Sequence, residues 1–227
     1  MNFNTLLDVF LIYGLPVVIA ITFHEAAHGF IAYRLGDNTA KRLGRVTFNP
    51  LKHIDPFGTV LLPAMLILLK APFLFGYAKP VPVVSGNLRH PKSDMVLVAA
   101  AGPGTNFLLA FASALLIHCV SLFPVEVGTL LSKILYTSLM INVVLGVFNM
   151  LPLPPLDGGR VAVGLLPNFL GRPLARLEPY GFFILIGGFF LLPFLLKQVG
   201  IEFNLFSLLL SSPIQYIVEL IVGLAGL

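Results

Sequence analysis

Apolar residues run through this chain in long blocks separated by short polar stretches, rather than alternating as in an amphipathic soluble fold. A helix that crosses a bilayer needs roughly 20 mainly apolar residues. Blocks of that kind occupy about 6–33, 95–123, 134–151, 180–197 and 204–225, the last interrupted by Pro213 and Glu219. A sixth apolar run, Phe57 to Leu69, has only 13 residues. As a helix it spans about 20 Å, short of a bilayer core of about 30 Å. It is expected to enter and return on one side, shielded by protein; a crossing would make six spans. Arg45 to Phe48 and Ala78 to Val84 read as extended, because Pro80 and Pro82 exclude helix. The expected fold is therefore an all-α polytopic membrane protein. It has about five transmembrane helices, a re-entrant segment near 57–69 and short extended strands beside it.

Composition agrees: 57% of residues are hydrophobic, 11% are charged and mean hydropathy is +0.95. A soluble domain carries about 25% charged residues, so this chain could not cover a soluble surface. The net charge of +4 does not point to nucleic acid. The basic residues form no dense run, and the aromatic residues lie in apolar blocks. They read instead as loop charges beside a bilayer. Arg34, Lys41, Arg42, Arg45 and Lys52 precede the short run, and Lys70, Lys79, Arg89 and Lys92 follow it. Arg160, Arg172 and Arg176 come after the third long block. If the short run returns, these 12 of 14 basic residues share one face, expected to be the cytoplasm. The N-terminus then lies outside. Met1 to Phe10 has no basic n-region, so the first block reads as a retained helix rather than a cleaved signal peptide. The single Cys119 excludes an internal disulfide and reads as a packing residue.

Chemistry concentrates in His24-Glu25-Ala26-Ala27-His28. On a helix, positions i and i+4 share a face, so both imidazoles can hold one metal. Glu25, beside the first, can take a proton from water activated there. Each charged group at the bilayer centre costs about 2.5–3.5 kcal/mol, so this cluster needs a compensating interaction. A catalytic zinc usually has three protein ligands. The extension of the motif found in metzincins fails, because Ile31 and Arg34 stand where Gly and His are required. The next glutamate, Glu126, falls in a loop expected outside. Asp157 is the best third ligand. It follows a span in Asn149-Met-Leu-Pro152-Leu-Pro154-Pro155-Leu156-Asp157-Gly158-Gly159-Arg160, and a re-entrant 57–69 places it on the same side as the histidines.

HEAAH in a membrane helix, paired with NMLPLPPLDGGR after a later one, resembles the site-2 protease family of intramembrane zinc metalloproteases. The resemblance extends through RLGRVTFNPLKHIDPFGT, in part, and AAGPGTNF, covering roughly residues 15–165. It implies that His24, His28 and Asp157 bind one Zn2+ per chain and that Glu25 is the general base. It also implies protein substrates that span the membrane or are anchored to it. No span precedes the HExxH helix here, and no PDZ or nucleotide-sensing domain is visible, so a minimal form is expected. The chain reads as a single integral-membrane domain over 1–227, with a catalytic core at about 6–165 and C-terminal helices at about 180–225.

Around the ligands, Pro152, Pro154 and Pro155 either hold the backbone extended to receive an unwound substrate or simply end the helix. Gly158 and Gly159 would permit a tight turn aiming Asp157 at the metal. Asn149 is expected to donate to the oxyanion or the substrate backbone, the alternative being a hydrogen bond to a neighbouring helix. Asn106 reads equally as functional or as packing, and Asn142 as structural. His53 and Asp55 read as a loop cap, His90 as solvated and His118 as an interface residue, while Glu219 is unassigned. The expected function is cleavage of peptide bonds in or near transmembrane segments, serving regulated proteolysis or clearance of signal-peptide remnants. A metal transporter would carry repeated ligand sets, and none is present. A silent scaffold would not need Glu25.

Overall fold

A computed structural model describes residues 7–68 and 77–227. Residue 6, most of Met1 to Phe10, and Leu69 and Lys70 at the end of the short apolar run lie outside the described residues. Among the described residues five helices are long and apolar enough to cross a membrane. They are α1 (Leu7–Arg34), α3 (Pro91–Ile117, continued as a 3-10 turn to Leu122), α4 (Val125–Asn149), α7 (Glu178–Gln198) and α8 (Leu205–Ala225). Shorter helices lie between them. The π-helical Pro56–Leu61 runs on as Leu62–Leu68 to make α2, and α5 (Asp157–Leu165) and α6 (Asn168–Ala175) follow α4.

Local chemistry sets the helix ends. Pro91 opens α3, and Asp94 in its first turn accepts from the His90 amide, placing negative charge at the positive end of the helix. Asn204 accepts from Ser207 N to cap α8, and Gly226 closes it in the left-handed conformation. The α8 helix runs through Pro213 without a break, which a membrane helix tolerates when its neighbours supply the packing. The α4 helix starts at Val125, directly after Pro124 and well before the apolar block at 134. Glu126 thus sits in its first turn and not in a loop.

The core lies where α3, α4 and α8 meet, at Ala110, Ala114, Leu139, Val143, Leu210 and Ile221. Small residues let these helices approach closely, and Ser113 donates to Ser138 across α3 and α4 at 2.9 Å. Leu108, Leu116, Tyr136, Phe183 and Leu208 on the outer faces are exposed, as suits a surface facing lipid. His118 Nε2 donates to the Ala225 carbonyl, tying α3 to the end of α8. Cys119 is exposed rather than packed.

The short run leaves and returns at one level. Tyr77 N donates to Gly58 O, Thr59 Oγ1 donates to Tyr77 O, and Lys79 N donates to His53 O. The chain at 77–79 is therefore back beside the start of α2. Asp55 caps α2 through the Phe57 and Gly58 amides, and His53 is buried with Nε2 donating to Thr47 O. Both match the loop-cap reading.

The expected strands do not form: among the described residues no strand is present. Residues 46–48 bend, and 78–84 is non-helical but gives its amides to the His53 carbonyl and to side chains rather than to a sheet. Val81 N donates to Glu25, and Val84 N to Asp37. Prolines at 80 and 82 remove the donors a ladder would need.

Candidate metal centre

The last turns of α1 carry His24 and His28 on one face, against the first half of α3. Gly102 of α3 lies directly opposite the two rings, where a Cβ would collide with both imidazoles. The loop after α4 then brings Asp157, the first residue of α5, to the same point.

Three atoms converge there. His24 Nε2 and His28 Nε2 are 3.0 Å apart, and Asp157 Oδ2 lies 3.1 Å from the first and 3.3 Å from the second. All three residues are buried. His28 Nδ1 donates to the Val98 carbonyl at 2.7 Å, and His24 Nδ1 bonds Asn106 Oδ1 at 2.6 Å. A carbonyl can only accept, so each imidazole carries its proton on Nδ1 and turns the Nε2 lone pair inward. Asp157 Oδ2 has no hydrogen bond among the described residues. Two lone pairs and an anionic oxygen thus face one another in a buried triangle, an arrangement that a cation satisfies. Tetrahedral zinc with bonds of about 2.0–2.1 Å separates its ligand atoms by roughly 3.3 Å, close to the edges seen here. The set therefore fits zinc.

Glu25 lines the cavity that opens beside His24, and its Oε2 accepts from Val81 N at 2.7 Å. The cavity, about 1490 Å³, is bounded by α1, α4, α7 and the start of α8. Its wall is rich in phenylalanine, including Phe148, Phe189, Phe194 and Phe206, and also carries His24, Glu25, Pro155, Lys197 and Glu202. Asn149 lines it as well, with Nδ2 donating to Leu145 O one turn back in α4.

Residues 151–156 do not lie extended. Leu153 N donates to Leu151 O and Leu156 N to Leu153 O, so the prolines shape two tight turns. Gly158 and Gly159 have no positive φ. Their role is close approach: a Cβ at 158 would strike the Met150 and Leu151 carbonyls, and one at 159 the backbone of Leu153 and Pro154. Arg160 pairs with Glu178 at 2.9 Å, fastening α5 to α7.

Asn106 and Asn142 are fully buried. Sequence reasoning left the first undecided and gave the second to packing. Asn106 Nδ2 donates to Asn142 Oδ1 at 2.9 Å, so both belong to the surroundings of His24. The readable signal was that a carboxamide inside an apolar span must find a partner. His90 is exposed, and Glu219 accepts from Gln215 on the outer face of α8.

Residues 124–194, which hold the Asp157 loop but not the HExxH helix, match the model of peptidase family M50. Over 176 residues the chain is 39% identical to "Putative zinc metalloprotease YwhC" of Bacillus subtilis, covering 76% of this chain and 77% of that one. The chain belongs to peptidase family M50. Within this M50 chain the similarity reaches further relatives. "Putative zinc metalloprotease Rip2" of Mycolicibacterium smegmatis is 30% identical over 172 residues, or 74% of this chain and 62% of that one. The protein of the same name from Mycobacterium tuberculosis H37Rv is 29% identical over 196 residues, or 84% and 71%. No solved structure matches. Membership makes the M50 chain a membrane metalloendopeptidase, and zinc is the metal its donor set suits.

Proposed function

We propose that this M50 protein is an intramembrane zinc endopeptidase that hydrolyses peptide bonds in or near the transmembrane segments of membrane proteins. The observation that carries the reading is the buried triangle of His24, His28 and Asp157 opening, beside Glu25, into a phenylalanine-lined cavity between spanning helices. A water-soluble peptide has no need of such a wall, whereas an apolar segment leaving lipid does.

His24, His28 and Asp157 would hold the metal. Zinc, when bound, supplies a Lewis acid that polarises the scissile carbonyl and makes water acidic near neutral pH. Glu25 takes the proton of the attacking water on one carboxylate oxygen and delivers it to the leaving amine. Its other oxygen stays on the Val81 amide, which fixes the plane of the carboxylate. Asn149 offers its side-chain amide to the substrate carbonyl as charge develops there. The M50 helices exclude bulk water from the remaining sides of the cavity.

The site faces the cytoplasm and the N-terminus lies outside. The end of α1, the start of α3 and helices α5 and α6 meet at one end of the bundle, joined by Arg89 N to Leu35 O and Lys92 Nζ to Leu166 O. Most of the basic residues sit there, and basic loops stay cytoplasmic. The chain acts as one domain, with the catalytic core at about 6–165 and the helices at about 180–225 closing the cavity. Its products are released signalling fragments or cleared signal-peptide remnants.

A Glu25→Gln variant in detergent or liposomes tests the reading against a panel of tagged single-span substrates. Zinc content should match wild type while cleavage falls by about 10²–10⁴-fold, the usual worth of a general base. Cleavage at the wild-type rate would overturn the assignment.

A further inference from the structure

The carboxamide of Asn106 can face His24 in either of two ways, and only one leaves His24 able to bind a metal. If its NH2 faced the ring, His24 Nδ1 would have to accept, the proton would move to Nε2, and the inward lone pair would be lost. The structure has Asn106 Oδ1 at 2.6 Å from His24 Nδ1. The NH2 points the other way, to Asn142 Oδ1 at 2.9 Å and the Ala20 carbonyl at 3.3 Å. Asn142 could in turn face Asn106 with either end. Its NH2 is taken by the Ser138 carbonyl, four residues earlier in α4, at 2.9 Å. A backbone carbonyl cannot donate, so Ser138 O dictates the orientation of Asn142; Asn142, at a shorter distance than the Ala20 carbonyl that favours the same orientation, sets that of Asn106, which dictates the tautomer of His24.

We infer that Asn142 and Asn106 form a relay of two amides by which α4 holds His24 in its metal-binding tautomer, making Asn142 a positioning residue for a metal it does not touch. This rests on the metal reading proposed above. The relay is buried throughout, since both asparagines have no exposed surface. Burial leaves the two amides few alternative partners, so the orientations have little freedom. Ser113 donates to the Ser138 hydroxyl, which makes only a long 3.4 Å contact with Asn142 Nδ2 beside the 2.9 Å bond to the directing carbonyl, so the relay does not depend on Ser113.

Two measurements on the detergent-purified full chain test this. Competition with a chelator gives the zinc affinity of wild type, Asn106→Leu, Asn142→Leu and Ser113→Ala. Loss of a partner directly behind a metal ligand weakens binding by about 10–100-fold, which is expected for Asn106→Leu. Asn142→Leu should weaken it in the same direction by several-fold, and Ser113→Ala should not move it. Nitrogen-15 NMR of histidine-labelled, metal-free protein, with His24 assigned by its loss in His24→Gln, reads the tautomer itself. Wild type should show His24 protonated at Nδ1 alone, and Asn142→Leu a mixture. Should Asn142→Leu not fold, Asn142→Ala removes the same acceptor with less bulk. A single unchanged tautomer together with wild-type zinc affinity in the folded Asn142 variant would overturn the relay. If wild type itself took no zinc, the metal reading would fall, while the NMR would still decide the relay.

Discussion

Gly102→Ala adds one methyl group to α3, and the site amplifies it. An ideal Cβ at 102 lies 2.6 Å from His24 Cε1 and Nε2, and closer still to His28 Nε2. Ordinary contact needs about 3.5 Å, so both ring edges are about 1 Å too near. These edges carry the ligand atoms, and their Nδ1 sides are pinned to Asn106 and Val98. The rings have no room to retreat without leaving the triangle. Metal sites tolerate only about 0.2 Å in ligand distance, and a 1 Å misplacement of catalytic groups costs on the order of 10²-fold. Helix propensity works in the opposite direction, since alanine is better than glycine in a helix interior by about 1 kcal/mol. Gly104→Ala is the internal control, because no described residue lies within 4 Å of a Cβ there. Zinc content by elemental analysis, chelator competition and thermal unfolding of both variants would separate the effects. Gly102→Ala should lose zinc affinity by about 10²-fold or more, and activity with it. Gly104→Ala should keep both and unfold at the same or a slightly higher temperature. Wild-type zinc affinity in Gly102→Ala would mean that the imidazoles do not occupy the positions described.

Other expectations follow from the same packing. Gly181→Ala, at the start of α7, would drive a Cβ into the Pro154 carbonyl and the Pro155 ring; a loss of about 1–3 kcal/mol is expected from overpacking, read as a lower unfolding temperature alongside weaker cleavage. Asp37 is fully buried in the loop after α1 and receives the Thr39 and Val84 amides, the Thr39 hydroxyl and the Asn87 side chain. Burial acts to raise its carboxyl, but these donors outweigh it and hold the group below its ordinary range. Its stabilisation is therefore present above the unfolded value of about 3.9 and is lost as pH falls through the lower folded value. Thermal stability should decline on acidification below about pH 4, and Asp37→Asn should flatten that limb; an identical acid limb in the variant would refute it.

The spans were legible because bilayer thickness demands apolar blocks of a set length, and no packing detail is needed to see them. Their ends were less so. The α4 helix starts where Pro124 frees the following residue to begin a helix, not where apolar density rises, so Glu126 was misplaced in a loop. The re-entrant reading came from counting residues and charges, and the bonds between 58–59 and 77 show the return that those counts required. The strands failed for a different reason. Extended backbone at 78–84 was readable from Pro80 and Pro82, but which groups its amides would meet was not. A pattern of proline, valine, proline leaves Val81 as the lone donor of the three, and only the fold reveals that Glu25 receives it.

The centre itself was legible on α1 because i and i+4 spacing is local. Asp157 was reachable only through topology, and the asparagine pair not at all as a pair, since α3 and α4 must first pack before 106 and 142 can meet. What brings Asp157 in is not side-chain packing. Gly102 lets the backbone of α3 approach the imidazoles, Gly158 and Gly159 seat the start of α5 on the loop at 150–154, and Gly181 lets α7 close over Pro154 and Pro155. At Gly158 and Gly159 the neighbours are backbone, which cannot yield cheaply, and at Gly102 they are imidazoles held on their far sides by Asn106 and Val98. The three ligand side chains can therefore be named from their chemistry, but the tolerance of the site to substitution is set by four positions with no side chain. A variant scan scored on zinc affinity and unfolding temperature should find alanine damaging at these glycines, with the largest loss of zinc at Gly102, and alanine at open Gly104 harmless.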